Sequence, residues 1–90
     1  MGLDEEIILY FSNITSVSRE NINRDSMFSD DLGMDSLDMV ETAIYIEDKY
    51  HLHLPSEEFD RMNTVGHMID YVAKYRDNAG MDNSDRKRQI

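Results

Sequence analysis

The chain has 90 residues, of which 40% are hydrophobic and 31% charged, so it has room for one small domain. Nineteen acidic residues against 9 basic ones leave a net charge of −10 at pH 7. A nucleic-acid backbone requires clustered cations, and the one cluster in the sequence is Arg86-Lys87-Arg88, close to the C-terminus. The composition therefore excludes nucleic acid as a partner and favours basic protein surfaces.

Cysteine is absent, which excludes a disulfide framework, a thiolate nucleophile and a cysteine zinc site. The longest strongly apolar run, Ile7 to Phe11, is far shorter than the ~18 residues that a membrane span requires. We expect a cytoplasmic monomer with no membrane span.

Helical spacing of apolar residues predicts a first amphipathic helix over residues 3–16. Its apolar positions are Leu3, Ile7, Phe11 and Ile14. Periodicity then fades over residues 15–34, which predicts a long loop. The loop is expected to pack through its scattered apolar residues, namely Ile22, Met27, Phe28 and Leu32.

A second helix is predicted from Ser36 to Tyr50, with Asp35 as its N-cap and Asp38 three positions on. One apolar stripe of this helix should face the core. It comprises Met39, Ala43, Ile46 and Tyr50. A second stripe, Leu37, Val40 and Ile44, lies on another side of the helix, and a domain this small has little core left to bury it.

A short helical turn is predicted to start at Ser56, and Thr64 caps a last helix that ends near Arg76. The short turn carries Phe59 and Met62, and the last helix carries Val65, Met68, Ile69, Val72 and Tyr75. Residues 77–90 have almost no apolar content and are predicted to form a disordered tail. The fold class is therefore all-α, a small four-helix bundle with three main helices and one short one, in a domain of residues 1–76.

Ser36 is the candidate functional residue. A serine beside an aspartate at a helix start commonly serves only as a cap. The same position also offers unpaired backbone N–H groups and the positive end of the helix dipole, which suit a phosphate diester on the serine oxygen. Local sequence alone leaves both interpretations open.

The string Leu32-Gly33-x-Asp35-Ser36-Leu37 resembles the acyl carrier proteins. The resemblance extends from Ile7 to Val72, and its further matches are Phe28, Val40, Glu41, Leu54-Pro55 and Thr64-Val65. It implies a four-helix carrier in which Ser36 bears 4'-phosphopantetheine, transferred from coenzyme A by a phosphopantetheinyl transferase. It also implies a protein that is not an enzyme but presents acyl thioesters to acyl-loading and acyl-processing enzymes.

The resemblance further implies a docking surface for basic patches on those enzymes. Its residues would be Asp35, Leu37, Asp38, Val40, Glu41, Ile44, Glu47 and Asp48. The alternative for the acidic members is a merely solvated helix face. None of the three histidines lies near Ser36 in sequence, and His51 and His53 lack a third ligand at zinc spacing, so no metal site is predicted.

Two residues depart from the usual pattern of the family. Thr42 borders the core stripe and Tyr45 lies on the acidic side, where many fatty-acid carriers have aliphatic or small residues. A polar wall or a bulky ring would suit a shorter, polar or unusual acyl group. A satisfied threonine hydroxyl and a surface tyrosine are the simpler interpretation.

Fatty-acid or related lipid biosynthesis is the expected pathway. Specialised carriers for polyketide, aminoacyl or D-alanyl, and envelope-lipid systems remain alternatives. An alternative of another class is a non-covalent acidic interaction module, in which Ser36 is only an N-cap and the Leu37, Val40, Ile44 stripe binds a partner helix or groove.

Overall fold

The computed structural model describes the backbone of residues 2–83 and the side chains of residues 2–76. Its α-helices are α1 (Leu3–Ile14), α2 (Ser36–Tyr50), α3 (Ser56–Asp60) and α4 (Val65–Asn83), and a 3₁₀ turn covers Arg19–Asn21. Residues 2–83 contain no strand, and a lone antiparallel bridge joins Met27 to Thr64. The predicted all-α class with three main helices and one short one is confirmed.

Helix α1 ends at Ile14, two positions before the predicted end at residue 16, because Thr15 caps it. The backbone N–H of Thr15 donates to Phe11 O at 3.1 Å, and its hydroxyl donates to the same oxygen at 2.7 Å. Helix α4 begins after Thr64, whose Oγ1 accepts from the His67 N–H at 3.2 Å. That contact is an N-cap, as predicted.

Helix α4 continues to Asn83, beyond the predicted end near Arg76. Part of the segment predicted as a disordered tail is therefore helical. The rest of that segment, residues 84–90 with Arg86-Lys87-Arg88, lies outside the described residues.

The core is formed by side chains from α1, α2 and α4, together with residues of the long loop. The fully buried members are Ile7, Phe11, Thr42, Ile46, Val65, Met68 and Val72. Burial of each large apolar side chain contributes about 1.5–3 kcal/mol. Five of these side chains occupy the positions that helical spacing predicts on α1 and α4: Ile7, Phe11, Val65, Met68 and Val72.

Several core predictions are wrong in detail. Ile14 and Met27 are 40% and 37% exposed. Met39 and Ala43 are only half-buried, and Thr42 takes the fully buried position on that side of α2. The reason is that α2 packs against α4 as well as α1, and in this orientation Thr42 meets Tyr10 of α1.

The long loop is fastened to the start of α4 by backbone hydrogen bonds. Val65 N–H donates to Ser26 O at 3.0 Å, Gly66 N–H to Arg24 O at 2.8 Å, and Phe28 N–H to Asn63 O at 3.0 Å. Ile22, Phe28 and Leu32 are buried as predicted, and Met34 joins them. The loop is therefore packed against the rest of the domain, and it fixes the position at which α2 begins.

Helices α1 and α2 run antiparallel, since Glu6 meets Tyr50 and Tyr10 meets Thr42. The Tyr10 ring also stacks on Tyr45, with centroids 4.0 Å apart and planes 8° apart. We refer to Tyr10, Thr42 and Tyr45 as the α1–α2 seam.

Candidate functional site

A tight turn precedes α2. Gly33 has a φ of +68°, in the left-handed region, where a side chain would cost about 1 kcal/mol or more. The next residue, Met34, is 5% exposed and its N–H donates to Phe28 O at 2.9 Å. The turn is thus anchored in the core one residue before the N-cap of α2.

The first turn of α2 is closed by a capping box, as predicted. The Asp38 N–H donates to Asp35 Oδ1 at 2.9 Å, and the Asp35 N–H donates to Asp38 Oδ2 at 3.2 Å. Asp35 is therefore the N-cap, and Ser36 is the first helical residue. The interpretation of Ser36 as the cap is wrong, because the neighbouring carboxylate does that work.

The Ser36 side chain is left free by this arrangement. It is exposed, and its hydroxyl makes no hydrogen bond to any residue between 2 and 76. The N–H groups of Ser36 and Leu37 belong to the first turn, where a helix has no internal acceptor for them. A phosphate ester on Ser36 Oγ would meet these donors and the positive end of the helix dipole, so the residues present fit such a group.

An apolar cleft of about 440 Å³ opens beside Ser36, between α2 and α3. Its lining residues are Ser36, Met39, Val40, Ser56, Phe59, Asp60 and Met62. Helix α3 contains no fully buried residue, whereas Met62, just beyond it, is 4% exposed and belongs to the core. The cleft therefore leads from the Ser36 hydroxyl to the edge of the hydrophobic core.

The second stripe of α2 is exposed, as the size of the domain predicts. Leu37, Val40 and Ile44 have exposed fractions of 64%, 52% and 62%. Three carboxylates of the same helix are also exposed, those of Asp35, Glu41 and Asp48. We call these six residues the α2 surface; it combines large apolar side chains with negative charge next to Ser36.

Three of the predicted docking carboxylates have partners inside the molecule. Asp35 and Asp38 form the two halves of the capping box. Glu47 accepts a hydrogen bond from the Leu54 N–H at 2.8 Å and lies 3.6 Å from His53 Nδ1. Asp38 and Glu47 are half-buried and hold local structure, and the contribution of Glu47 is one that spacing along the helix does not reveal.

The α1–α2 seam explains the two unusual residues of α2. Thr42 is 0% exposed and its Oγ1 lies 3.3 Å from the Tyr10 hydroxyl, so its polar group is satisfied in the core. Burial raises the pKa of the Tyr10 phenol, and the hydrogen bond with Thr42 opposes that shift. Tyr45 is half-buried against Tyr10 instead of lying free on the surface.

His51 and His53 are both exposed, and His51 adopts the left-handed conformation at the end of α2, with a φ of 54°. Among the residues whose side chains are described, no three His, Asp or Glu side chains are grouped as a metal site. No helix of the described chain is both long and apolar enough to cross a membrane.

The small helical bundle exposes Ser36, unbonded within residues 2–76, at the first turn of a capped helix, an arrangement that fits a carrier domain for a covalently attached phosphate-linked arm. The sequence matches the family model described as "Phosphopantetheine attachment site" over residues 5–72. The match includes the turn, Ser36 and the α2 surface.

Curated relatives carry the name acyl carrier protein. Those of Chlorobium phaeobacteroides, Chlorobium phaeovibrioides and Chlorobium luteolum are each 41% identical over 58 residues, covering 64% of this chain and 74% of the relative. The chain therefore belongs to the acyl carrier protein family: it is a non-catalytic carrier with a phosphopantetheine attachment domain.

The fold is similar to a solved structure of the acyl carrier protein from Enterococcus faecalis. The TM-score is 0.72 at 22% identity, with 80% of this chain and 91% of the other covered. This likeness concerns the fold alone and agrees with the helical architecture described above.

Proposed function

We propose that Ser36 is the attachment residue for 4'-phosphopantetheine and that the protein delivers acyl thioesters in fatty-acid or related lipid biosynthesis. The observation that supports Ser36 is its exposed hydroxyl, unbonded within residues 2–76, beside the Asp35 cap. The bound group supplies a thiol at the end of a flexible arm. The chain itself contributes the serine oxygen and the N–H donors of the first turn of α2.

The transfer reaction needs no base from this chain. The Ser36 hydroxyl makes no hydrogen bond to a side chain of residues 2–76, so it has no internal partner there that would activate it. Activation then falls to the phosphopantetheinyl transferase, and Ser36 serves as its substrate.

The α2 surface is the proposed docking site for that transferase and for acyl-loading and acyl-processing enzymes. Exposed Leu37, Val40 and Ile44 offer a small apolar contact. The surrounding carboxylates attract basic patches at long range, which speeds encounter without demanding tight binding. A carrier that visits several enzymes in turn requires such reversible contacts. We also propose that the protein is cytoplasmic and monomeric, since its α2 surface must stay accessible to each enzyme in turn.

Intact mass after incubation with coenzyme A and a broad-specificity phosphopantetheinyl transferase tests the attachment. One phosphopantetheine should add to the parent and none to Ser36→Ala. The matched control is Ser56→Ala, because Ser56 is an exposed serine that lines the same cleft, and this variant should still be modified. A folded parent that gains no mass would favour the non-covalent interaction module instead.

The pathway is tested by the cargo. Protein isolated from the cells that produce it should carry saturated or β-substituted acyl chains on the arm, detected by mass after proteolysis around Ser36. An aminoacyl or D-alanyl mass would contradict a lipid role while leaving the attachment residue intact.

A further inference from the structure

The cleft beside Ser36 and the α1–α2 seam lie on neighbouring parts of α2. Met39 lines the cleft, and Thr42 follows it by three positions, so the two side chains adjoin along the helix. Met39 is half-buried, whereas Thr42 is 0% exposed. A chain that enters the cleft over Met39 and continues into the core along this side of α2 therefore meets Thr42.

Thr42 and Tyr10 provide a polar boundary at that point. Their hydroxyls are 3.3 Å apart. An alkyl chain inserted between them would separate the two hydroxyls and leave the fully buried Thr42 hydroxyl without a partner, and buried polar groups without partners are destabilising.

The aromatic part of the seam prevents Tyr10 from simply moving aside. Its ring stacks on Tyr45 with centroids 4.0 Å apart, and it contacts Phe11 edge-on at 5.3 Å. Rotation of Tyr10 would break both aromatic contacts, and Phe11 is itself fully buried. The stack therefore holds the Tyr10 hydroxyl beside Thr42, so the polar boundary stays in place.

We propose that the α1–α2 seam limits the cargo to short-chain acyl groups, with Thr42 as the specificity-determining residue. This inference rests on the proposed attachment of the arm to Ser36. Short chains occupy the part of the apolar cleft lined by Met39 and Phe59, before the chain reaches Thr42. Longer chains leave their distal carbons in solvent, where they add no stability.

The test uses the phosphopantetheinylated protein charged with butyryl, hexanoyl, dodecanoyl or hexadecanoyl groups. A buried acyl chain stabilises the folded state, so the melting temperature reports how much of each chain is enclosed. For the parent we expect a rise of about 4 °C or more from the free thiol to the hexanoyl form. No further rise is expected for dodecanoyl or hexadecanoyl.

Two variants move the boundary without emptying the core. Thr42→Val keeps the shape of the side chain but removes its hydroxyl. Tyr10→Phe keeps the aromatic stack on Tyr45 but removes the hydroxyl that pairs with Thr42. Each should let the melting temperature continue to rise from hexanoyl to dodecanoyl. Thr42→Ser, which retains a hydroxyl, is the matched control and should keep the limit of the parent.

A steady rise through hexadecanoyl in the parent would overturn the inference, and so would an unchanged limit in both Thr42→Val and Tyr10→Phe. These outcomes are separate from a failure of the proposed function. If Ser36 is not the attachment residue, either the parent gains no phosphopantetheine mass or Ser36→Ala gains it as well, and both results are seen before the acyl series is prepared.

Discussion

The Tyr50 hydroxyl donates a 2.9 Å hydrogen bond to the Glu6 carboxylate and thereby joins the end of α2 to the start of α1. Burial, followed by this bond to a carboxylate, raises the pKa of Tyr50 well above its usual value, although Arg76, 5.8 Å from the ring, opposes the shift. Burial also raises the pKa values of Tyr10 and Tyr71. The helix contacts of this fold therefore depend on neutral tyrosines.

These raised pKa values predict a loss of stability in alkali. Above about pH 10, the unfolded chain releases tyrosine protons that the folded protein retains, so the free energy of unfolding falls as pH rises. Below about pH 10 this contribution is fully present. Urea unfolding at a series of pH values should show the decline in the parent and a shallower one in Tyr50→Phe.

Removal of the Tyr50–Glu6 contact should also lower stability at neutral pH. We expect Tyr50→Phe to cost about 1 kcal/mol, because the hydrogen bond is lost while Glu6 remains accessible to water. Glu6→Gln should cost less, since the amide oxygen still accepts. Glu5→Gln is the matched control, because Glu5 is an exposed neighbour outside the contact, and a similar loss there would refute the assignment.

The capping box predicts a contrast between two adjacent residues. Asp35→Ala should lower the free energy of unfolding by about 1 kcal/mol, because the Asp38 N–H loses its acceptor. Asp35→Asn should preserve most of the stability of the cap, because its side-chain oxygen still accepts from the Asp38 N–H. Ser36→Ala should change stability by less than about 0.5 kcal/mol, since that side chain is exposed and unbonded within residues 2–76. Equal losses at both positions, measured by urea denaturation, would contradict the assignment of the cap to Asp35.

Gly66 should not tolerate a methyl group. A Cβ at this position would lie 2.8 Å from the backbone oxygen of Arg24, the same oxygen that accepts from the Gly66 N–H. We expect Gly66→Ala to cost about 1–3 kcal/mol through displacement of the loop, despite the better helix propensity of alanine. Gly2→Ala, which meets no atom within 4 Å, is the control and should cost about 0.5 kcal/mol or less.

The α2 surface predicts salt-dependent recognition by the phosphopantetheinyl transferase. Glu41→Lys should reduce kcat/KM for modification severalfold at low ionic strength, and the deficit should shrink as salt screens the charges. The matched control is Glu5→Lys. Glu5 is exposed on the first turn of α1. That turn contacts the C-terminal end of α2, whereas Ser36 lies at its N-terminal end. Equal effects of the two variants would indicate a response to net charge alone.

Local features of the site could be predicted from the chain because their interactions join residues close in sequence. The capping box links Asp35 and Asp38, three positions apart, and the bounds of α2 follow from it. Gly33 adopts a left-handed conformation, which glycine reaches in turns without steric cost. The exposure of Leu37, Val40 and Ile44 follows from a helix with more apolar faces than a small core can cover.

Burial and partnership at other positions depend on contacts between distant segments. Ile14 and Thr42 exchange the environments that hydropathy predicts: the aliphatic residue is 40% exposed and the hydroxyl is fully buried. Thr42 is stable in the core because Tyr10, 32 positions earlier, supplies a hydrogen-bonding partner. Glu47 is not only a candidate docking residue, because its carboxylate accepts a hydrogen bond from the Leu54 N–H, seven positions later in the chain.

Periodicity and capping thus specified the helices, the turn and the location of Ser36, since each rests on steric and hydrogen-bonding rules that act within a few residues. The packing of α2 against α4 and α1 decided which face of α2 is interior, and with it the polar seam that adjoins the cleft. That outcome required the folded chain, because the free energy of burying a hydroxyl depends on which distant group satisfies it.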